Sequence, residues 1–121
     1  MKYEVKKDKE NGLLRLVIYS SLVKADVDEL MPIMAAELDK MKRRLVLVDM
    51  SQDKNPSSMS KEARKAYKEH AAAINTEKVA MVGANPVTRM TAKIALSVLG
   101  QSDRTRFFKS EEEAFVWLKG E

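Results

Sequence analysis

The sequence contains no cysteine. That excludes disulfides, thiolate zinc sites and a cysteine nucleophile. It contains one histidine, His70, so no HExxH pair can be written, and no GxSxG turn or histidine–serine–aspartate arrangement is present. The glycine-rich phosphate cradles GxGxxG and GxxxxGK-Ser/Thr are absent, which leaves nucleotide binding unsupported. No apolar run approaches the ~20 residues that span a bilayer. The opening stretch, MKYEVKKDKENG, is charged throughout and carries no signal-peptide pattern, so a reducing, cytoplasmic setting is the expectation. Two short basic clusters, Lys6-Lys7-Lys9 and Lys42-Arg43-Arg44, are not interleaved with aromatics. A nucleic-acid role is therefore not expected, and these charges read as solvated faces.

What is present suits one α/β domain over residues 1–121. Of the 121 residues, 45% are apolar, enough for a real core, and 33% are charged, with a formal net charge of +4. The organising stretch is 43–63, RRLVLVDMSQDKNPSSMSKEA. Its run Leu45-Val46-Leu47-Val48 is unbroken, as in a parallel strand covered on both faces. Asp49 ends the run, and a polar loop leads to a helix capped by Ser60. In open α/β sheets, ligands and partners are met outside the carboxyl ends of the strands. Asp49, Ser51, Asp53, Ser57 and Ser58 fall at that edge.

Around this centre the elements follow in order. Residues 3–7 form a charged strand suited to a sheet edge. Asn11-Gly12 predicts a tight hairpin turn with positive φ at both central residues, and 13–19, LLRLVIY, is the second strand. A helix begins near Asp26, with Asp26 and Glu29 as an acid-capped box. Val27, Leu30, Met31, Met34, Leu38 and Met41 repeat on one face of it. Pro32 conflicts with an interior position and points to a later start or an irregular first turn. A second helix over 61–75 has a small-residue face of Ala63, Ala66, Tyr67, Ala71 and Ile74. His70 lies beside that face, reads as a half-buried structural residue and has no evident carboxylate partner in register. A strand over 78–83 precedes Asn85-Pro86, a cap with proline at the first helical position. The helix that follows carries Val87, Met90, Ile94, Leu96, Val98 and Leu99 and stops at Gly100. A strand over 105–108 and a final helix capped by Ser110 and Glu113 complete the chain. The order β-β-α-β-α-β-α-β-α gives a mixed sheet of five strands with four helices, an N-terminal hairpin and right-handed parallel βαβ units.

Asp49-Met50-Ser51-Gln52-Asp53 invites a metal or phosphotransfer reading, but one firm carboxylate without a second acidic cluster is thin for magnesium. Asp49 and Ser51 are better read as closing side-chain turns on loop amides. Gly83-Ala84-Asn85-Pro86 resembles an anion cradle at a helix start, for which ordinary capping is the simpler account. No metal, cofactor or catalytic residue is expected. The methionine stripe reads as adaptable core; its alternative is an apolar ligand pocket lined by Met31, Met34 and Ile94, beneath the helices over 61–75 and 86–99.

With these pieces in place, the chain resembles the STAS fold of anti-sigma-factor antagonists. It is closer to the small bacterial STAS-like proteins that are compared with CRAL-TRIO lipid carriers. The resemblance rests on 28–32 with its helix, LVLVDMS at 45–51, KVAMVG at 78–83, RFF at 106–108 and EEAFVWL at 112–118. It implies a non-enzymatic module that presents the 49–58 edge and Asn85 to a protein partner. In sigma-regulating members an Asp ends this strand and a partner kinase phosphorylates a Ser in the next loop. Asp49 matches the first, and Ser57 or Ser58 the second. The family's Asp-Ser is soon followed by Gly, whereas here Pro56 precedes Ser57 and Met59 follows Ser58. The lipid-carrier comparison implies instead an apolar ligand or peripheral membrane contact. Oligomerisation is compatible with either.

Overall fold

The computed structural model describes residues 2–52, 60–84, 86, 89–90, 93 and 102–120. Five strands, β1 (Tyr3–Asp8), β2 (Leu13–Ile18), β3 (Leu45–Asp49), β4 (Lys78–Val82) and β5 (Thr105–Phe108), form one sheet in the order β1-β2-β3-β4-β5. β1 pairs antiparallel with β2, and every later pair is parallel. The apolar run thus becomes the middle strand and the charged strand the edge, as the pattern required. Three α-helices are counted among the described residues: α1 (Lys24–Leu38), α2 (Lys61–Ile74) and α3 (Glu111–Lys119). Four were expected. The remaining one falls on 86–99, where Pro86, Arg89, Met90 and Lys93 are described and have helical backbone.

The two-residue period of a strand divides the core between the two faces of the sheet. Leu14, Leu16, Val46 and Val48 point to one side, where Val27, Leu30, Met31, Met34 and Leu38 of α1 meet Ala63, Ala66 and Ile74 of α2. Leu13, Leu45, Leu47, Ala80 and Val82 point to the other, against Ala114 and Leu118 of α3. Burying a leucine side chain fully contributes about 1.5–3 kcal/mol. Leu13, Leu14, Leu38, Leu45, Leu47 and Leu118 are all in that state. The small face of α2 brings it close to α1, with Ala63 and Ala66 wholly buried.

Five local expectations are corrected. The β1–β2 connection is a four-residue loop, since Asp8 pairs with Leu13. Only Gly12 has positive φ there, at +68°. Asp8 supplies the turn instead, its carboxylate accepting the Asn11 backbone N–H at 3.0 Å and side-chain amide at 2.8 Å. Next, α1 starts at Lys24, and Asp26 is a first-turn residue whose Oδ2 accepts the Val23 N–H at 2.9 Å. Pro32 lies inside this helix, on its exposed side, where solvent can serve the backbone group left without a donor. The same helix ends at Leu38, so Met41 lies beyond it. Lastly, α2 ends at Ile74, and Asn75 takes the left-handed φ of 44° that stops it.

The expected caps hold elsewhere. Ser60 Oγ accepts the Ala63 N–H at 3.1 Å, and Ser110 Oγ the Glu113 N–H at 3.3 Å.

Candidate interaction surface

β2, β3, β4 and β5 run in parallel, so their carboxyl ends share one edge. There β3 ends in Asp49, which accepts the Ser51 backbone N–H at 2.9 Å and its hydroxyl at 2.5 Å through a single oxygen, Oδ1. Gln52 donates to Ser51 Oγ at 3.3 Å. The Met50 N–H reaches across to Val82 O at 2.8 Å and extends the β3–β4 ladder past its last strand pair. Gly83 then turns away with φ +80°. A Cβ on Gly83 would lie 2.6 Å from Ser51 Cβ and 2.8 Å from its Cα and N. Only glycine allows this approach, both by its φ and by its lack of a side chain. The 49–52 turn is thereby set in one shape, with Ser51 and Gln52 exposed and Asp49 half-buried.

Of the residues expected at this edge, Asp49 and Ser51 are brought together as a side-chain turn. Asp53, Ser57, Ser58 and Asn85 lie outside the described residues. Met31 and Met34 are 5% and 6% exposed and pack in the α1–α2 side of the core, and Ile94 lies outside the described residues. Among the described residues, no group of three or more His, Asp or Glu could hold a metal ion.

Sequence reasoning missed the partner of His70. Its Nε2 lies 3.1 Å from Asp28 Oδ1, joining α2 to α1. Asp28 also accepts from Lys24 Nζ at 2.6 Å. The Lys24 hydrogen bond and then that of His70 hold the Asp28 carboxyl below its ordinary range. Asp28 and His70 are 42 positions apart, so no local spacing signals the pair. Tyr3 on the edge strand bonds Glu29 of α1, and that hydrogen bond, with burial, pushes its phenol up to about 12.

The opposite edge, at the amino ends of the parallel strands, holds a cleft of about 500 Å³. The basic cluster at 42–44 resolves here into three roles. Arg44 donates to Ile74 O and Asn75 O and so caps the carbonyl end of α2. Arg43 pairs with Glu77 and donates to Lys119 O and Gly120 O, both at 3.2 Å, at the end of α3. Cations suit these positions because helix C-termini carry partial negative charge. Lys42 stands exposed on the cleft rim.

A five-stranded mixed sheet with this helix placement is a STAS-like fold. An uncharacterized protein of the DUF3478 family from Shewanella loihica PV-4, described as having a SpoIIAA-like fold, superposes with a TM-score of 0.69. It is 15% identical, over 96% of this chain and 91% of its own. The anti-sigma factor antagonist SpoIIAA in its unphosphorylated form gives 0.66 at 10% identity, over 98% and 97%. SLC26A9 gives 0.52 at 14% identity, covering 89% of this chain and 20% of that one. By sequence, the chain belongs to the family described as Domain of unknown function (DUF7793), whose model matches residues 9–120. No curated protein matches the sequence. Among the described residues, no helix is long and apolar enough to cross a membrane.

Proposed function

We propose that this single STAS-like domain is a non-enzymatic interaction module that offers the carboxyl edge of its sheet to a protein partner. The observation that carries the reading is the 49–52 turn pressed against Gly83. A backbone ridge set in one shape before contact loses little freedom on docking, which is how preorganised surfaces gain affinity. Asp49, Ser51, Ser57, Ser58 and Asn85 are the residues assigned to this surface. One fold neighbour is named as an anti-sigma factor antagonist and as unphosphorylated, which supports a protein partner and leaves its identity open. A phosphate on Ser57 or Ser58 would add about −1.5 to −2 charges a few residues before Ser60, the cap of α2, where free N–H groups favour anions. The simpler role for both serines is to solvate the turn.

The test is partner capture from the native host with mass spectrometry. It compares wild type, Asp49→Ala with Ser51→Ala, and the double Ser57/Ser58 variants to Ala and to Asp. A partner retained by wild type and lost on changing Asp49 and Ser51 is expected. Equal capture by every variant would remove this edge from consideration. Equal capture by the Ala and Asp forms alone, with no phosphate mapped at either serine, would dispose of the switch and keep the docking surface.

A further inference from the structure

We propose a second site, at the amino edge of the sheet, for a small organic anion with an aliphatic body. The cleft there is walled by the β1–β2 loop, the 40–43 connection into β3 and the end of α3. Its volume of about 500 Å³ lies in the range of small-molecule sites, roughly 300–1,000 Å³. It is far larger than an inorganic anion needs. Leu13, Met41 and Leu45 line its apolar part.

The charge around it is only partly spent internally. Lys7 meets the solvent-inaccessible Oε2 of Glu37 at 2.9 Å, and Lys40 meets Oε1 of the same residue at 3.6 Å. Arg43 is engaged by Glu77 and the end of α3. Lys9, Lys42 and Lys119 remain. They come from three separate elements, line one cleft, are exposed, and form no ion pair among the described residues. Like charges gathered at a concave surface repel one another and favour an anion there.

Three features oppose an anion: the Asp8 carboxylate, which lines the cleft, and the ends of α1 and α3 beside it. Asp8 is met by the Asn11 backbone and side-chain N–H groups and by Arg15 at 3.8 Å. Both helix ends are already served. Asp39, Lys40 and Met41 N–H groups return to Ala35 O, Glu37 O and Leu38 O. At α3, Lys78 Nζ donates to Trp117 O and Gly120 O at 2.8 Å each, beside the bonds from Arg43. Lys9 and Lys42 are therefore free to meet a phosphate or carboxylate head, and Lys119, whose Nζ lies 5.8 Å from the centre of the Phe115 ring, can turn to join them, while the body covers Met41 and the lysine stems.

The probe is hexyl phosphate, followed by amide shifts in NMR, with inorganic phosphate and hexanol as controls and vesicles of phosphatidylcholine with phosphatidic acid as a separate arm. Shifts are expected at Gly12, Met41 and Lys42 with hexyl phosphate, and binding at least several-fold weaker with either control. A Lys9→Gln, Lys42→Gln, Lys119→Gln variant should bind about tenfold more weakly, as three exposed charge contacts allow. Lys61→Gln, Lys65→Gln, Lys68→Gln, an equal charge loss on α2, should change binding little. Hexyl phosphate binding together with vesicle sedimentation assigns a lipid headgroup as the source, and binding without sedimentation assigns a free metabolite. No shift at the cleft, equal binding of inorganic phosphate or hexanol, equal loss in the two lysine variants, or sedimentation without hexyl phosphate shifts would each overturn the proposal.

Discussion

The two ends of the sheet are built by opposite means. At the carboxyl end, backbone meets backbone: the 49–52 turn sits on Gly83 with no room for a Cβ, and a short Asp closes the turn. At the amino end, long side chains do the work. Gly12 there has φ +68° but no atom within 4 Å of a would-be Cβ, and lysines stand around an open cleft. The first end is closely packed, which is what the proposed docking edge draws on. The second is open and charged, which is what the proposed small-ligand site draws on.

The largest effect should come from Leu45→Ala at the cleft floor. Leu45 is 2% exposed, so a loss of about 2–5 kcal/mol in denaturant unfolding is expected. A loss well under 1 kcal/mol would mean that the amino end is only loosely joined to the core. The two glycines provide the sharpest contrast. Gly83→Ala should cost about 2–3 kcal/mol, from positive φ plus collision with Ser51, and Gly12→Ala about 1 kcal/mol, from φ alone. Equal costs would erase the distinction between the ends.

Arg43→Met should cost about 1 kcal/mol, mostly through the carbonyls it leaves at the end of α3, and should speed hydrogen exchange in that helix. Unchanged exchange would deny Arg43 its capping role.

Acid should act on both ends. Asp26 is held low by the Val23 N–H and then Lys2, Asp28 by Lys24 and then His70, and Glu37 chiefly by Lys7. Burial would raise Asp8, but its two Asn11 hydrogen bonds, together with the Arg15 and Lys119 charges, outweigh that and hold it low. Each folded carboxyl titrates below its unfolded value. Their stabilisation is therefore present above about pH 4 and is lost as pH falls through the folded values. A flat stability profile from pH 5 to strong acid would contradict these pairings. The smallest effect is alkaline. Tyr3, raised to about 12, lends stability that is full below about pH 10 and fades as pH rises toward its folded value. Tyr3→Phe should reduce the late phenolate signal in an ultraviolet titration by one group, leaving Tyr19, raised by its Glu4 hydrogen bond, and Tyr67, raised by burial.

The pattern of residues was enough to place the strands. Leu45-Val46-Leu47-Val48 has no polar alternation, so it can only be buried on both faces, and it is the middle strand. Ser60 and Ser110 announced the starts of α2 and α3 because a hydroxyl cap acts within one turn. Lengths of turns were less legible: Asn11-Gly12 suggested a two-residue hairpin, but Asp8 folds its own side chain over a four-residue loop. The edge at Asp49 was visible from the chemistry that follows an apolar strand. The cleft was not, because Lys9, Lys42 and Lys119 are far apart in sequence and resemble ordinary surface charge.

By itself, then, the sequence determined the class of fold, the central strand and the edge strand, because hydrophobic period and local capping are properties of neighbouring residues. Tertiary structure alone decided which charges are used. Arg43 and Arg44 became caps for α3 and α2, His70 found Asp28, and Lys42 was left at a cleft. Ion pairing and close approach depend on which distant segments the sheet brings together, and Gly83 against Ser51 is the tightest case of that.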